Sequence, residues 1–147
     1  MSLITDKVFY NALRSNTAII QAVSGRIENV AIPVPEEQLL NEPVPYLIIT
    51  FDSLQNDGYT KDNSFEGYND KVQVSIHAAA ETREQLGDIM QEVRQAVIEY
   101  FEDTENHTWD DYELVPTNYT FSASAIAYDD MKPCYFQSLI YNCDTNP

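Results

Sequence analysis

The sequence predicts an α+β fold: a small, mainly antiparallel sheet of about four to five strands packed against an N-terminal helix and one long central helix, in a single domain spanning residues 1–147. Three stretches carry that prediction. Residues 44–51, VPYLIITF, form the most apolar segment of the chain. Tyr46, Ile48 and Thr50 alternate there with Leu47, Ile49 and Phe51, so a strand would be apolar on both faces, as a central strand covered by two layers is. Residues 71–77 put Val72, Val74 and Ile76 on one side and Gln73, Ser75 and His77 on the other, the alternation of an antiparallel strand with one buried face. Residues 82–101 carry Leu86, Ile89, Met90, Val93, Val97 and Phe101 as one stripe at helical spacing, with Glu84, Asp88, Glu92 and Glu99 largely off it.

The other elements follow in order. Residues 4–23 read as helical in two pieces. Thr5 is the expected cap of the first, with Ile4 and Phe9 as a hydrophobic staple and Phe9, Ala12 and Leu13 on one face. Asn16 or Thr17 recaps a second piece carrying Ile19, Ile20 and Val23, which Gly25 ends as a C′ glycine. Residues 26–32 read as short and extended, and the proline-rich residues 33–45 as an irregular connection. Pro43 and Pro45 confine the start of the central strand, since neither donates to a ladder. Residues 53–69 are expected to be a long, exposed, mobile hairpin loop. Thr82 and Gln85 have capping-box spacing at the start of the central helix. Residues 102–113 are acidic and turn-prone, and residues 118–128 and 135–143 alternate as a C-terminal hairpin joined through DDMKP.

Charge excludes several function classes. The 147 residues contain 24 acidic and eight basic side chains, for a net charge of −16. Phosphate backbones and anionic membranes require clustered Lys and Arg, so neither direct nucleic-acid binding nor membrane binding is expected. No apolar run is long enough to span a bilayer, and the N-terminus, MSLITDKVFY, lacks the apolar core of a signal peptide. Hydrophobic residues at 44% argue against wholesale disorder. Cys134 and Cys143 make no disulfide framework and read as buried or half-buried thiols. The ten tyrosines fit either contact surfaces or an aromatic-rich sheet core.

No catalytic, cofactor-binding or metal-binding set emerges. Asp52, Asp57, Asp62 and Asp70 surround the long loop and suggest calcium, but the twelve-residue calcium loop fails: anchored on Gly58, it would have Ser53, Gln55 and Ser64 at positions one, three and twelve. His77 and His107 have no Cys or His at ligand spacing and read as strand-end or loop histidines. Ser24-Gly25 lacks the nucleophile-elbow pattern, neither cysteine has a nucleophile motif, and there is no glycine-rich phosphate loop. Asp110-Asp111 and Asp129-Asp130 are adjacent in sequence, so in a strand they face opposite ways and in a turn they cap backbone. The expectation is a protein that is not an enzyme.

A helix ending in Gly25-Arg26-Ile27, a Pro45-Tyr46 entry into a buried strand, a loop to KVQVSIH, the small run Ala78-Ala79-Ala80, a helix from Thr82 and a C-terminal hairpin follow one another. In this order the chain resembles the small tail-completion (tail-terminator or neck) proteins of tailed phages and prophages. That resemblance implies an α+β fold, no enzyme activity, and a virion structural protein that completes a tail or joins head to tail as a homo-oligomeric ring, commonly of six subunits, at the end of the tail tube. It implies tail-tube or neck proteins as further partners, and residence in the virion and, during assembly, in the host cytoplasm. The chain departs from the pattern at its Pro33-rich segment and at residues 102–113, which leaves the ring contacts unassigned. Carboxylates lining a DNA conduit would keep the duplex from adsorbing. The competing expectation is a non-enzymatic α+β binding or accessory module acting as monomer or dimer.

Overall fold

The computed structural model describes residues 5–30, 44–56, 70–103, 108–109, 112–113, 118–131 and 133–144. The N-terminal segment is two helices, α1 (Thr5–Arg14) and α2 (Thr17–Ala22). α1 buries Val8, Phe9, Ala12 and Leu13. Thr5 does not cap it: Thr5 is itself helical and buried, and residue 4 of the expected staple lies outside the described residues. Asn16 caps α2, its Oδ1 accepting the Ile19 N–H at 3.1 Å. α2 ends in a Schellman turn, with Gly25 N–H donating to Ile20 O at 2.8 Å and Ser24 N–H to Gln21 O at 3.3 Å. The left-handed C′ position is therefore Ser24, at φ 53°, and Gly25, at φ 75°, stands one place further on.

Strand β1 (Ile27–Val30) leaves this turn, and the chain returns as β2 (Tyr46–Asn56) and β3 (Asp70–Ala80). Helix α3 (Arg83–Glu102) follows, then a two-residue ribbon of β4 (Thr108–Trp109) and β5 (Tyr112–Glu113), and finally β6 (Asn118–Ala123), β7 (Ala127–Asp129) and β8 (Cys134–Asp144). The main sheet has the order β1-β2-β3-β8-β6, with β7 also paired to β8. β6 and β7 are two pieces of one edge strand, so six strands occupy five positions. All pairings are antiparallel except β1 with β2, which are parallel in the register Ile27↔Leu47. The expected α+β architecture is present.

The structure corrects several boundaries. Residues 53–56, expected in the loop, extend β2 because they keep their ladder to β3, and Ala78–Ala80 extend β3 because they keep theirs to β8. The rest of the expected loop, 57–69, and most of the proline-rich segment lie outside the described residues. The acidic stretch after α3 contains the β4–β5 ribbon. Thr82 caps α3 as expected, its Oγ1 accepting Gln85 N–H at 3.1 Å, while Gln85 Oε1 accepts from Glu81 N–H, one residue before the cap.

All three helices and the sheet share one core. From β2 it takes Leu47 and Ile49, from β3 Val72, Val74, Ile76, Ala78 and Ala80, and from β8 Leu139, Tyr141 and Cys143. α3 contributes its whole apolar stripe together with Ala96. Phe9, Phe101 and Tyr141 form an aromatic cluster within it that Tyr119 and the exposed Phe121 continue to its margin, with ring centroids 4.8 Å apart for Phe9–Tyr141 and 5.1 Å for Phe9–Phe101. Among the described residues the Tyr141 hydroxyl finds no hydrogen-bond partner there, and burial pushes its pKa far up.

Two outcomes follow from this core. Val93 is 0% exposed. Val93→Asp should lose the cooperative thermal transition, since an unpaired buried charge costs on the order of 4–5 kcal/mol against a total of about 5–15; a soluble variant with an unchanged midpoint would place the core elsewhere. Tyr141→Phe should leave stability unchanged or raise it by up to about 1 kcal/mol, because it removes an unsatisfied hydroxyl and keeps the ring; a loss above about 1 kcal/mol in urea unfolding would reveal a partner for that hydroxyl.

Candidate functional site

The second face of the sheet, away from the helices, holds the only cluster of interacting polar side chains in the described part of the sheet. Directly opposed residues share a face, so Thr50, Ser75, His77 and Ser138 belong to it, as do Tyr46, Ile48, Ala79 and Phe136. The last four form a small apolar cluster with Val44. Thr50 and Ser75 are buried and His77 and Ser138 half-buried.

A β-bulge creates the site. Phe51 opposes Val74, but Ser53 opposes Gln73, so β2 carries one extra residue, Asp52. The bulge turns the Asp52 carboxylate onto the second face. Its Oδ1 accepts from Thr50 Oγ1 at 2.7 Å, and its Oδ2 accepts from Gln73 Nε2 at 3.2 Å and from the Ser75 hydroxyl. The bulge also rephases the strand: Leu54 then faces Val72 on the helix side, where continued alternation would have sent Ser53.

The hydrogen bonds have one consistent direction. Thr50 gives its proton to Asp52, so it accepts from His77 Nε2 at 3.0 Å. His77 is then the Nε2–H tautomer, and its bare Nδ1 accepts the Ser138 hydroxyl proton at 2.7 Å. The relay runs Ser138 to His77 to Thr50 to Asp52 across three strands. Burial lowers the His77 pKa below its usual range, and the Asp52 charge pulls the other way more weakly. The Ser138 backbone N–H is engaged as well, donating to Ser124 Oγ at 2.9 Å.

Past Gln73 the second face opens into a groove of about 510 Å³, with Ser53, Gln55, Gln73, Thr120 and Asn142 among its lining and Lys71 opposite Asp144 in register. At the other end of β2, Arg26 Nε donates to Pro45 O at 2.8 Å, so Gly25-Arg26 and Pro45-Tyr46 meet in space.

The remaining sequence candidates are not brought together. Cys134 and Cys143 are both buried at opposite ends of β8 and are not joined to each other. Burial, and then the Asp144 charge, push the Cys143 pKa up to about 12. His107, Asp57 and Asp62 lie outside the described residues. Among the described residues no three His, Cys, Asp or Glu side chains are grouped to hold a metal ion, and no helix is long and apolar enough to cross a membrane. Sequence reasoning missed the Asp52–Thr50–His77–Ser138 relay. Its signal was the polar period Gln73, Ser75, His77, opposite the buried face of its strand, beside a strand that carries Thr50 and Asp52 past an apolar run.

No family model and no curated protein matches the chain. Among solved structures, a chain from the virion of a native gene transfer agent (GTA) particle has the same fold, with a TM-score of 0.63 at 10% identity, covering 97% of this chain and 94% of that one.

The relay sets a pH dependence. With its folded pKa depressed, His77 binds fewer protons in the folded than in the unfolded chain, so its contribution is fully present above the unfolded value near 6.5 and declines as pH falls below it. Thermal midpoints should hold between about pH 8 and 7 and drop between about pH 6.5 and 5, ahead of carboxylate protonation. His77→Gln should flatten that drop; an equal drop in the variant would assign it to other groups.

Proposed function

We propose that this protein is a virion structural component that acts by self-assembly and not by catalysis. The observation that carries this reading is a fold shared over nearly the whole chain with a protein of a gene transfer agent virion. The resemblance of the element order to tail-completion proteins points the same way and supplies the finer proposal: a ring of identical subunits at the end of a tail tube, completing the tail or joining it to the head.

Two further features support a structural role. The second-face relay ends on partners that are already engaged, since the N–H beside the Ser138 hydroxyl is taken by Ser124 and offers no donor for a developing oxyanion. The net charge of −16 suits a component past which DNA travels, because carboxylates do not retain the duplex. The polar groove beside Gln73 favours the second reading, a binding module acting as monomer or dimer.

Salt separates these readings from each other and from DNA binding. Self-repulsion opposes assembly at low ionic strength and is screened over about 10 Å at 0.1 M. Sedimentation velocity should therefore show oligomers that strengthen as salt rises, opposite to a DNA-binding protein. The assembled form should also cap purified tail tubes. A chain that stays monomeric at high concentration and high salt, and leaves tubes uncapped, would promote the binding-module reading.

A further inference from the structure

We propose that the outer edge of β6 takes β1 of a second copy of this chain, so that one sheet continues from subunit to subunit. This rests on the self-assembly reading above and names the surface it would use.

The edge is unguarded. Natural sheets protect exposed edges with charges, prolines or bulges. Residues 114–128 carry no charge, the longest such run in the chain, where the overall 22% would place about three charged residues. β6 lies wholly inside this run and contains no proline. The interruption at 124–126 separates β6 from β7 but leaves all six residues of β6 regular. Thr120 to Ala123 are all exposed, and the large exposed apolar side chains of the described residues gather along this edge and its hairpin: Phe121 at 37%, Ile126 at 39%, Tyr128 at 52% and Met131 at 86%. Arg94 from α3 lies over the Phe121 ring, 4.2 Å from its centroid, which holds that ring at the edge.

The backbone is available. Ser124 N–H donates to Ser138 O at 2.9 Å, and donors alternate along an antiparallel strand, so the N–H groups of Phe121 and Ala123 point away from β8. Among the described residues no strand lies beyond β6, and none lies beyond β1 at the opposite edge.

Charge and direction select a second copy as the occupant. A basic partner would gain most on the outer side of α3, where Glu84, Asp88, Glu92 and Glu99 are exposed, and not on an uncharged edge. An acidic partner at −16 is repelled elsewhere and can approach here. The chain also carries the complementary half of the joint. β1 runs parallel to β2, and the three antiparallel steps from β2 through β3 and β8 leave β6 running opposite to β1. A neighbour in the same orientation therefore brings its β1 antiparallel to β6, which generates a head-to-tail contact of the kind that closes rings.

The test combines two edge variants with cross-linking. Ala123→Pro removes an outward N–H without touching the β6–β8 ladder, and Ser122→Asp puts a charge on the edge and serves if the proline variant fails to fold. Each should keep its thermal midpoint within a few degrees and weaken self-association at least about tenfold in sedimentation. A mixture of Glu28→Cys and Ser122→Cys chains should join through a short bis-maleimide, since the native thiols are buried. Wild-type oligomers unaffected by both edge variants would overturn this surface and leave the assembly reading standing. Cross-linking of Ser122→Cys only to itself would overturn the head-to-tail arrangement in favour of a two-fold pairing. A wild-type chain monomeric throughout the salt series would overturn both this proposal and the reading beneath it.

Discussion

Asp52 places a carboxylate beside the buried stretch of two central strands, and the sheet is arranged so that this group is satisfied. Three side-chain donors reach it, from Thr50, Gln73 and Ser75. A half-buried carboxylate left without such partners is destabilising, so the register of β2 against β3 is tied to this contact. A slip by one residue would turn Leu47, Ile49 and Leu54 away from the helices and take the β3 donors, Gln73 and Ser75, from Asp52. The apolar and polar requirements thus select the same pairing.

The helix layer depends on that register. Leu86, Ile89, Val93 and Val97 pack on a surface whose pattern is set by Leu47, Ile49, Val72, Val74 and Ile76. Phe9 and Phe101 then meet over Tyr141, which ties α1, α3 and β8 into one aromatic cluster. The Arg26 to Pro45 bond fixes the corner where the chain crosses from the helices into the sheet, so β1 and the start of β2 are held by a polar contact as well as by pairing.

The elements with a strong period were legible in the sequence. The stripe from Leu86 to Phe101 is buried residue for residue, and the alternation of Val72, Val74 and Ile76 faces the core as the pattern requires. What a period cannot reveal is a break in the period. The bulge at Asp52 shifts β2 by one place, so residues 53–56 lose the alternation that begins at Tyr46 and read as loop. The relay stayed hidden for the same reason: Thr50 reads as part of an apolar strand, His77 as a strand end, and Ser138 lies sixty-one residues further on, joined to His77 only by the β3–β8 register. The parallel pairing of β1 was invisible because four residues carry too little pattern to choose a direction.

Charge and backbone act on association in different ways. Repulsion between two chains at −16 has no preferred direction and fades over about a Debye length, so it forbids most approaches without choosing one. An unpaired strand edge is directional and acts only at contact, at the spacing of about 4.8 Å between strands. Where the uncharged run 114–128 contains such an edge, at β6, the general prohibition is weakest where the specific attraction is strongest. An acidic protein with an uncharged edge among its described strands would thereby be protected from indiscriminate aggregation while keeping a route to ordered growth, and raising the salt would relax the prohibition without altering the direction that the edge imposes.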